Sequence, residues 1–344
     1  MHIVVTGAAG FIGSHLAERL CTLGHSVCGI DNLNGYYDRA LKRSNIVRLK
    51  DLGVAMETRD LATDEIGDCL SGADMVFHLA AQPGLSAAVS FDDYLRNNVV
   101  ATRRLVDALK HQPSLELFVH GSTSSVYGRV ATASEESAPA PASHYGVTKL
   151  AAEQLVLAEF RERDFPCCSL RLFSVYGPRE RPEKMFPKLI ASILQSEPFP
   201  LHEGSREHRR SFTFVSDVID AFVACIARAS RIRGHVINIG SDSDVSVSEA
   251  IAMVENVIGR KAEFRNLPRR PGDQLATKAR IEKAKDLLGF CPRVGMQEGV
   301  EAQVASLFDS RTEVVGFFES APSGAGRQGR SSSFDMERVS GRVA

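Results

Sequence analysis

Short apolar runs alternate along the chain with segments of helical period. Met1–Thr6, Ser26–Ile30, Met75–Ala80, Leu117–His120, Cys168–Phe173 and Val236–Ile239 read as strands, and Phe11, Ile12, Leu16 and Leu20 repeat on one face of a helix. Strand and helix in alternation predict an α/β protein, because parallel neighbours need a crossover of a dozen or more residues and the crossover is right-handed. The sheet is therefore expected to be parallel, doubly wound and covered by helices on both faces. Beyond Phe173 prolines at 178, 182, 187, 198, 200, 268 and 271 interrupt shorter elements, and arginines become frequent at 206–210 and 265–270. We expect a first domain over 1–173, rejoined by about 214–242, and a smaller C-terminal lobe over 174–310. The Gly/Ser/Arg-rich stretch 322–344 cannot bury enough apolar surface to offset its ordering entropy and is expected to be disordered.

Composition narrows the partners. With 344 residues, 44% apolar and no tryptophan, the chain can build one large or two fused domains. Its 41 basic and 42 acidic side chains leave a net charge of −1, which offers no footprint for nucleic acid or an anionic membrane. No apolar run approaches the roughly 18–20 residues of a membrane span, and the N-terminus reads as a strand, with no targeting leader; a cytoplasmic location is expected. Seven cysteines without a Cys-x-x-Cys suggest reduced thiols, with neither a disulfide framework nor a metal site.

Candidate chemistry begins where the first strand ends. In Thr6-Gly7-Ala8-Ala9-Gly10-Phe11-Ile12-Gly13 the glycines stand three apart. Gly7 permits the sharp turn, Gly10 lets backbone N–H groups approach a pyrophosphate, and Gly13 lets the helix pack closely on the sheet, the arrangement of a Rossmann-type dinucleotide site. A ligand-free turn would use the same glycines. Asp31, at the end of the second strand, changes the balance: a carboxylate there accepts both ribose hydroxyl protons and repels a 2′-phosphate, favouring NAD over NADP. Asp60-Leu61 follows another short strand and suits either an adenine edge or a helix cap.

Tyr145 and Lys149, four apart at the start of a helix running through Phe160, share one helix face. Gly121-Ser122-Thr123-Ser124-Ser125-Val126-Tyr127-Gly128 sets a hydroxyl cluster after a strand, where open α/β sheets place ligands, although Ser and Thr also serve as caps. These segments, with the glycine turn, Asp31-Asn32, His78-Leu79-Ala80-Ala81 and Asn98, resemble the extended short-chain dehydrogenase/reductase family in its nucleotide-sugar epimerase and dehydratase branch, from Met1 to about Phe308.

The resemblance implies roles. Tyr145 would be the base, Lys149 would lower its pKa and hold the nicotinamide ribose, and Thr123 would share the substrate hydroxyl. Tightly bound NAD would meet Gly7, Gly10, Phe11, Ile12, Gly13, Asp31, Asn32, Asp60, Leu61, Leu79, Ala80, Ala81, Gln82, Asn98, Tyr145 and Lys149. A phenol of pKa near 10 is a poor base at neutral pH, and nearby positive charge favours its anion. The implied reaction takes the O4′ proton and the C4′ hydride of a UDP-sugar, forms a 4-keto sugar and returns the hydride to the other face.

Ser124 and Ser125 stand where dehydratases of the branch carry Asp-Glu, so elimination lacks its acid and base. Ser174-Val175-Tyr176-Gly177-Pro178 followed by Arg181-Pro182 is similar to the UDP-glucuronate 4-epimerase pattern, as are Asp31 to Asp38 with Leu41-Lys42-Arg43, and Gln82-Pro83-Gly84. A 4-keto glucuronate is a β-keto acid that loses CO2 when its C5′–C6′ bond stands perpendicular to the ketone. Thr123, Ser124, Ser125, Ser174 and Arg181 could pin the carboxylate in plane, unless Arg181 is a surface arginine before a proline. The resemblance further places Arg210 and Arg270 on the diphosphate, Asp273 on a ribose hydroxyl and Lys188 on the substrate, and implies a homodimer through the helix after Phe91 and the helix carrying Tyr145. Ser211, Arg280 and His144 depart from the branch's usual residues. Rival readings are UDP-glucose or UDP-N-acetylglucosamine 4-epimerase, then a UDP-glucuronate decarboxylase, and, from another class, a silent NAD-binding sensor or scaffold.

Overall fold

The computed structural model describes residues 1–84, 89–269 and 273–319. The stretch 322–344 and Arg270 lie outside the described residues. Met1–Leu307 form one compact unit, and a second begins at Phe308. The main sheet has seven strands, all parallel. They are β1 (His2–Thr6), β2 (Ser26–Asp31), β3 (Ala55–Thr58), β4 (Met75–His78), β5 (Leu117–Thr123), Cys167–Leu172 and Val236–Ile239. In space the order is Val236–Ile239, Cys167–Leu172, β5, β4, β1, β2, β3. The chain thus works outward from β1 in both directions, and the reversal leaves a crevice at the C-terminal ends of β1 and β4, the usual ligand position in such sheets.

Side-chain alternation divides the core. Ile3, Val5, Phe77 and Val119 pack on one face with Leu16 and Leu20 of helix α1 (Phe11–Thr22) and with Phe222. Val4, Val76, Phe118 and Cys167 face the other way, onto Leu105, Val156 and Leu157. Each such burial contributes about 1.5–3 kcal/mol. Smaller sheets follow: Ser174–Tyr176 pairs with Phe212–Phe214, Phe199–His202 with Phe264–Leu267, and Val130–Ala131, Arg209–Arg210, Val245–Ser246 and Ala276–Thr277 form a four-stranded ribbon. Among the described residues no helix is long and apolar enough to cross a membrane.

One row breaks the apolar pattern. Thr6, His78, His120 and Ser169 are register partners across four neighbouring strands, two residues beyond Val4, Val76, Phe118 and Cys167 and on the same face. All four are buried. The Thr102 hydroxyl donates to Asn98 O (2.6 Å), so it accepts from His78 Nε2–H (2.8 Å), which leaves His78 Nδ1 to accept from the Thr6 hydroxyl (2.7 Å). Burial first, and the Lys149 charge second, push His78 down to about 3 and His120 well below the usual histidine range.

The turn from β1 to α1 is built on contact. Gly7 has φ +71°, and a Cβ on Gly13 would lie 2.1 Å from Gly7 O. Gly13→Ala is expected to lower stability by roughly 1–3 kcal/mol through overpacking, whereas Gly67→Ala, with no atom within 4 Å, should stay within about 0.5 kcal/mol of wild type; urea unfolding of both checks this. A second expectation concerns acid. The unfolded chain protonates His78 near pH 6.5, but the native sheet keeps it neutral down to about 3, so stability is complete above 6.5 and drains as pH falls through that window. His78→Gln should remove about 2 kcal/mol from the stability lost between pH 7.5 and 5.0, read from unfolding curves at the two pH values.

Candidate active site

A cleft of about 350 Å³ opens over the C-terminal ends of β1, β2, β4 and β5. It brings together Gly7, Gly10, Phe11, Ile12, Gly13, Asp31, Asn32, Asp60, Leu61, Leu79, Ala80 and Ala81 with Thr123, Ser124, Ser125, Tyr145, Lys149, Ser174 and Arg181. Nothing side-chain-borne caps α1: Gly10 is its N-cap, so the first-turn amides at Phe11 and Ile12 have no side-chain acceptor, which fits a phosphate at that end. The cradle therefore suits a dinucleotide, with Asp31 placed beyond it.

Asp31 is heavily engaged. Its Oδ2 accepts from Ala9 N (3.2 Å), and its Oδ1 accepts from Leu33 N (2.8 Å) and from Lys42 Nζ (3.1 Å). Lys42, on helix α2 (Arg39–Asp51), is buried, donates also to Asn34 Oδ1 (3.2 Å), and lines the same cleft. The Asp60 carboxylate accepts from Asn32 Nδ2, Arg96 Nη2 and Ala62 N, and the arginine and these donors outweigh burial, holding it below the usual carboxylate range. Asp60 thus caps a turn, and it also lines the cleft.

The hydroxyl wall forms because β5 ends in a 3-10 turn, Ser124–Tyr127, whose first amides are capped by Thr123: its Oγ1 accepts from Ser125 N at 3.1 Å. Helix His144–Arg163 presses against that turn, and a Cβ on Gly146 would sit 2.7 Å from Ser125 O, so only glycine allows the approach. Ser143 caps the helix by accepting from Gly146 N (3.1 Å). Tyr145 is consequently delivered beside Thr123. Burial raises its phenol above the usual tyrosine range, while the Thr123 hydrogen bond and the Arg181 charge pull it back. Lys149, from which a lowering is expected, is not among the groups that shift the phenol: its ammonium reaches His120 Nε2 at 3.2 Å, and burial pushes Lys149 itself down to about 8 against the favourable pull of Glu153.

Beneath these residues lies a buried ion pair. Glu153 accepts from Ser122 Oγ (2.7 Å) and from Arg171 Nε and Nη2 (3.0 and 2.6 Å), and Arg171 Nη1 donates to the Tyr127 hydroxyl (2.8 Å). Such a pair is costly to break because the remaining charge stays buried. Across the cleft, Arg181 stacks 5.6 Å from the Tyr36 ring centroid and lies 3.1 Å from Glu183, yet its Nη1 makes no hydrogen bond among the described residues.

Several expected residues stand elsewhere. Asn98 and Gln82 are buried behind the wall: Asn98 accepts from Gln82 N (2.7 Å) and donates to Gln82 O and Thr148 Oγ1, clamping the loop after β4. Gln82 Nε2 has no hydrogen-bond partner among the described residues. Lys188 is exposed on helix Met185–Gln195, away from the cleft lining. Arg210 and Asp273 pair with each other at 3.1 Å, and His208 Nδ1 lies 3.3 Å from the same carboxylate; none of the three lines the cleft. Conversely, Lys42, Arg59, Lys184, Gln274, Tyr36 and Tyr37 line it without having been singled out as site residues. The Asn-rich stretch after Asp31 was the available signal for Tyr36, Tyr37 and Lys42, and adjacency to Asp273 for Gln274.

Comparison with known proteins fits this geometry. The structure of UDP-glucuronic acid 4-epimerase from Bacillus cereus, in complex with UDP-glucuronic acid and NAD, superposes with a TM-score of 0.86 at 38% identity, covering 90% of this chain and 100% of that one. YtcB of Bacillus subtilis (strain 168), described as an uncharacterized UDP-glucose epimerase, is 37% identical over 312 residues, 89% of this chain and 98% of its own. UDP-glucuronate 4-epimerase 2 of Arabidopsis thaliana is 30% identical over 321 residues, 87% of this chain and 74% of its own. Residues 3–240 match the NAD dependent epimerase/dehydratase family, and the chain belongs to that family.

Proposed function

We propose that this protein is an NAD-dependent 4-epimerase of a UDP-sugar, interconverting UDP-glucuronate and UDP-galacturonate. One observation carries the reading: Tyr145 and Thr123 share a single cleft with the glycine turn, Asp31 and Arg181. In this reading Tyr145 removes the O4′ proton and later restores it, and Thr123 holds the same oxygen. NAD bound along the glycine turn supplies the acceptor, and then the donor, of the C4′ hydride. Lys149 holds the nicotinamide ribose and adds positive charge near the phenol. Arg181, with Ser124, Ser125 and Ser174, keeps the C6′ carboxylate in the plane of the ketone, so the sugar turns over without losing CO2. Residues 1–173, rejoined by about 214–242, carry the cofactor, and 174–310 carry most contacts to the UDP-sugar, among them Arg210, Asp273, Arg270 and Lys188 once the Arg210–Asp273 pair opens. A UDP-glucose epimerase is the second reading, supported by the description of the Bacillus subtilis relative. The protein works in the cytoplasm as a homodimer. Phe91, Leu95, Val100 and Val147 are 42, 38, 37 and 43% exposed on the segments proposed to meet, which supports the dimer.

The test incubates purified protein, with no cofactor added, with UDP-glucuronate, UDP-glucose and UDP-N-acetylglucosamine separately, following H4′ by NMR. Conversion of the first alone is expected, and acid should release bound NAD from the same sample. Tyr145→Phe keeps the ring packed 6.2 Å from Tyr94 and should slow conversion roughly 10²–10⁴-fold; full-speed conversion would remove Tyr145 from the chemistry. Arg181→Ala should raise CO2 release or lower turnover on UDP-glucuronate, and an unchanged rate and product ratio would exclude it from the site. Light scattering should give twice the chain mass of 37.4 kDa, and a monomer at micromolar concentration would overturn the dimer.

A further inference from the structure

His120 belongs to no recognised motif of the site, yet it is the partner of Lys149 beneath the cleft. Lys149 Nζ lies 3.2 Å from His120 Nε2, and His120 Nδ1 lies 3.0 Å from Ser169 Oγ. An ammonium can only donate, so Nε2 accepts, and a neutral ring must then carry its proton on Nδ1 and donate it to Ser169. Among the described residues the charged and titratable groups around this pair are Glu153 on the Lys149 helix, bound by Arg171 from the strand Cys167–Leu172, His78 on β4, whose ring centroid lies 5.9 Å away and which is held neutral by its own partners, and Tyr145 one turn before Lys149. His120 and Ser169 are both 0% exposed, and Lys149 is 3% exposed, so water offers no substitute acceptor.

We propose that His120 is a positioning residue for the epimerase reaction: Nε2 takes one N–H of the Lys149 ammonium and thereby aims its remaining two into the cleft. The inference rests on the reading of Lys149 as the residue that faces the cofactor ribose. The sheet register fixes the geometry, because His120 is locked between His78 and Ser169 in one row and cannot follow Lys149 if the lysine swings. Removing the acceptor would leave a buried donor unpaired, and the amine would meet that loss by giving up its proton more readily. Burial already holds Lys149 at about 8. Since His120 stabilises the protonated form, its loss moves the deprotonation of Lys149 to lower pH.

The test uses the full chain with its co-purified NAD. His120→Phe keeps the ring volume without an acceptor, and His120→Gln restores an acceptor. On UDP-glucuronate, H120F should lower kcat roughly 10- to 100-fold with KM little changed, and should shift the alkaline limb of the kcat profile to lower pH; H120Q should recover most of both. An H120F enzyme with wild-type kcat and limb, or an H120Q enzyme as impaired as H120F, overturns the proposal. A second measurement needs neither folded His120 variants nor turnover. Long-range 1H–15N correlation of the unmutated protein should show His120 neutral with its proton on Nδ1 between pH 6 and 8, and Lys149→Met should release part of it to the Nε2–H tautomer. A wild-type ring protonated on Nε2, or a tautomer untouched in K149M, overturns the pairing. Failure of the wild type to epimerise any UDP-sugar while the Nδ1–H tautomer holds overturns the proposed function alone and leaves the His120–Lys149 pair standing.

Discussion

Burial and neighbouring polar groups pull the Tyr145 phenol in opposite directions. Burial raises the phenol, and the structure counters with a hydroxyl donor at Thr123 and a guanidinium at Arg181. A tenfold change in acidity corresponds to about 1.4 kcal/mol, so one well-placed neighbour competes with a substantial part of the burial cost only if it cannot wander. Rigidity is therefore a chemical requirement. Gly146 supplies it by letting the Tyr145 helix touch the Ser124–Tyr127 turn, and Ser143 fixes where that helix begins.

The same demand explains the polar material under the floor. A parallel sheet covered on both faces would ordinarily be apolar throughout, and here the Thr6–His78–His120–Ser169 row and the ion pair beside Ser122 depart from that. Glu153 and Arg171 form an ion pair with side chains 0 and 3% exposed, joined to Ser122 and Tyr127 on either side of Thr123. Replacing such a pair by hydrocarbon often costs nothing in stability. Hydrogen bonds have fixed geometry, and these tie the end of β5 to the neighbouring strand and helix.

Much of this was legible in the sequence because it is local. The strands at Met1–Thr6, Ser26–Ile30 and Val236–Ile239 follow from runs of apolar residues, and the glycine turn from three residues within seven positions. Tyr145 and Lys149 share a face for a reason internal to one helix. What could not be read depends on contacts distant along the chain. Asn98 has the composition of a ligand-binding residue, but its amide is spent on Gln82 and Thr148. Arg210 and Asp273 look like separate handles until folding sets them 3.1 Å apart. Lys42 reaches the cleft because α2 packs it against Asp31. Likewise, nothing in Leu117–His120 says that its last residue will lie beside Ser169, since only the pairing of two strands decides that.

The shape of the buried row bears on the kind of reaction the cleft can host. From Lys149 the hydrogen bonds run to His120 and then to Ser169, which is wholly buried, and on the other side His78 is closed by Thr6 and Thr102. A neutral imidazole fixed by partners on both nitrogens holds a proton in place and does not pass it on without turning, and close packing forbids the turn. An oxidoreductase that releases a proton at each turnover needs a route for it to bulk water. An epimerase does not, because the proton taken from O4′ returns to O4′ and the cofactor ends as it began. A floor that anchors charge in place is compatible with a reaction whose redox and proton balances both close inside the cleft.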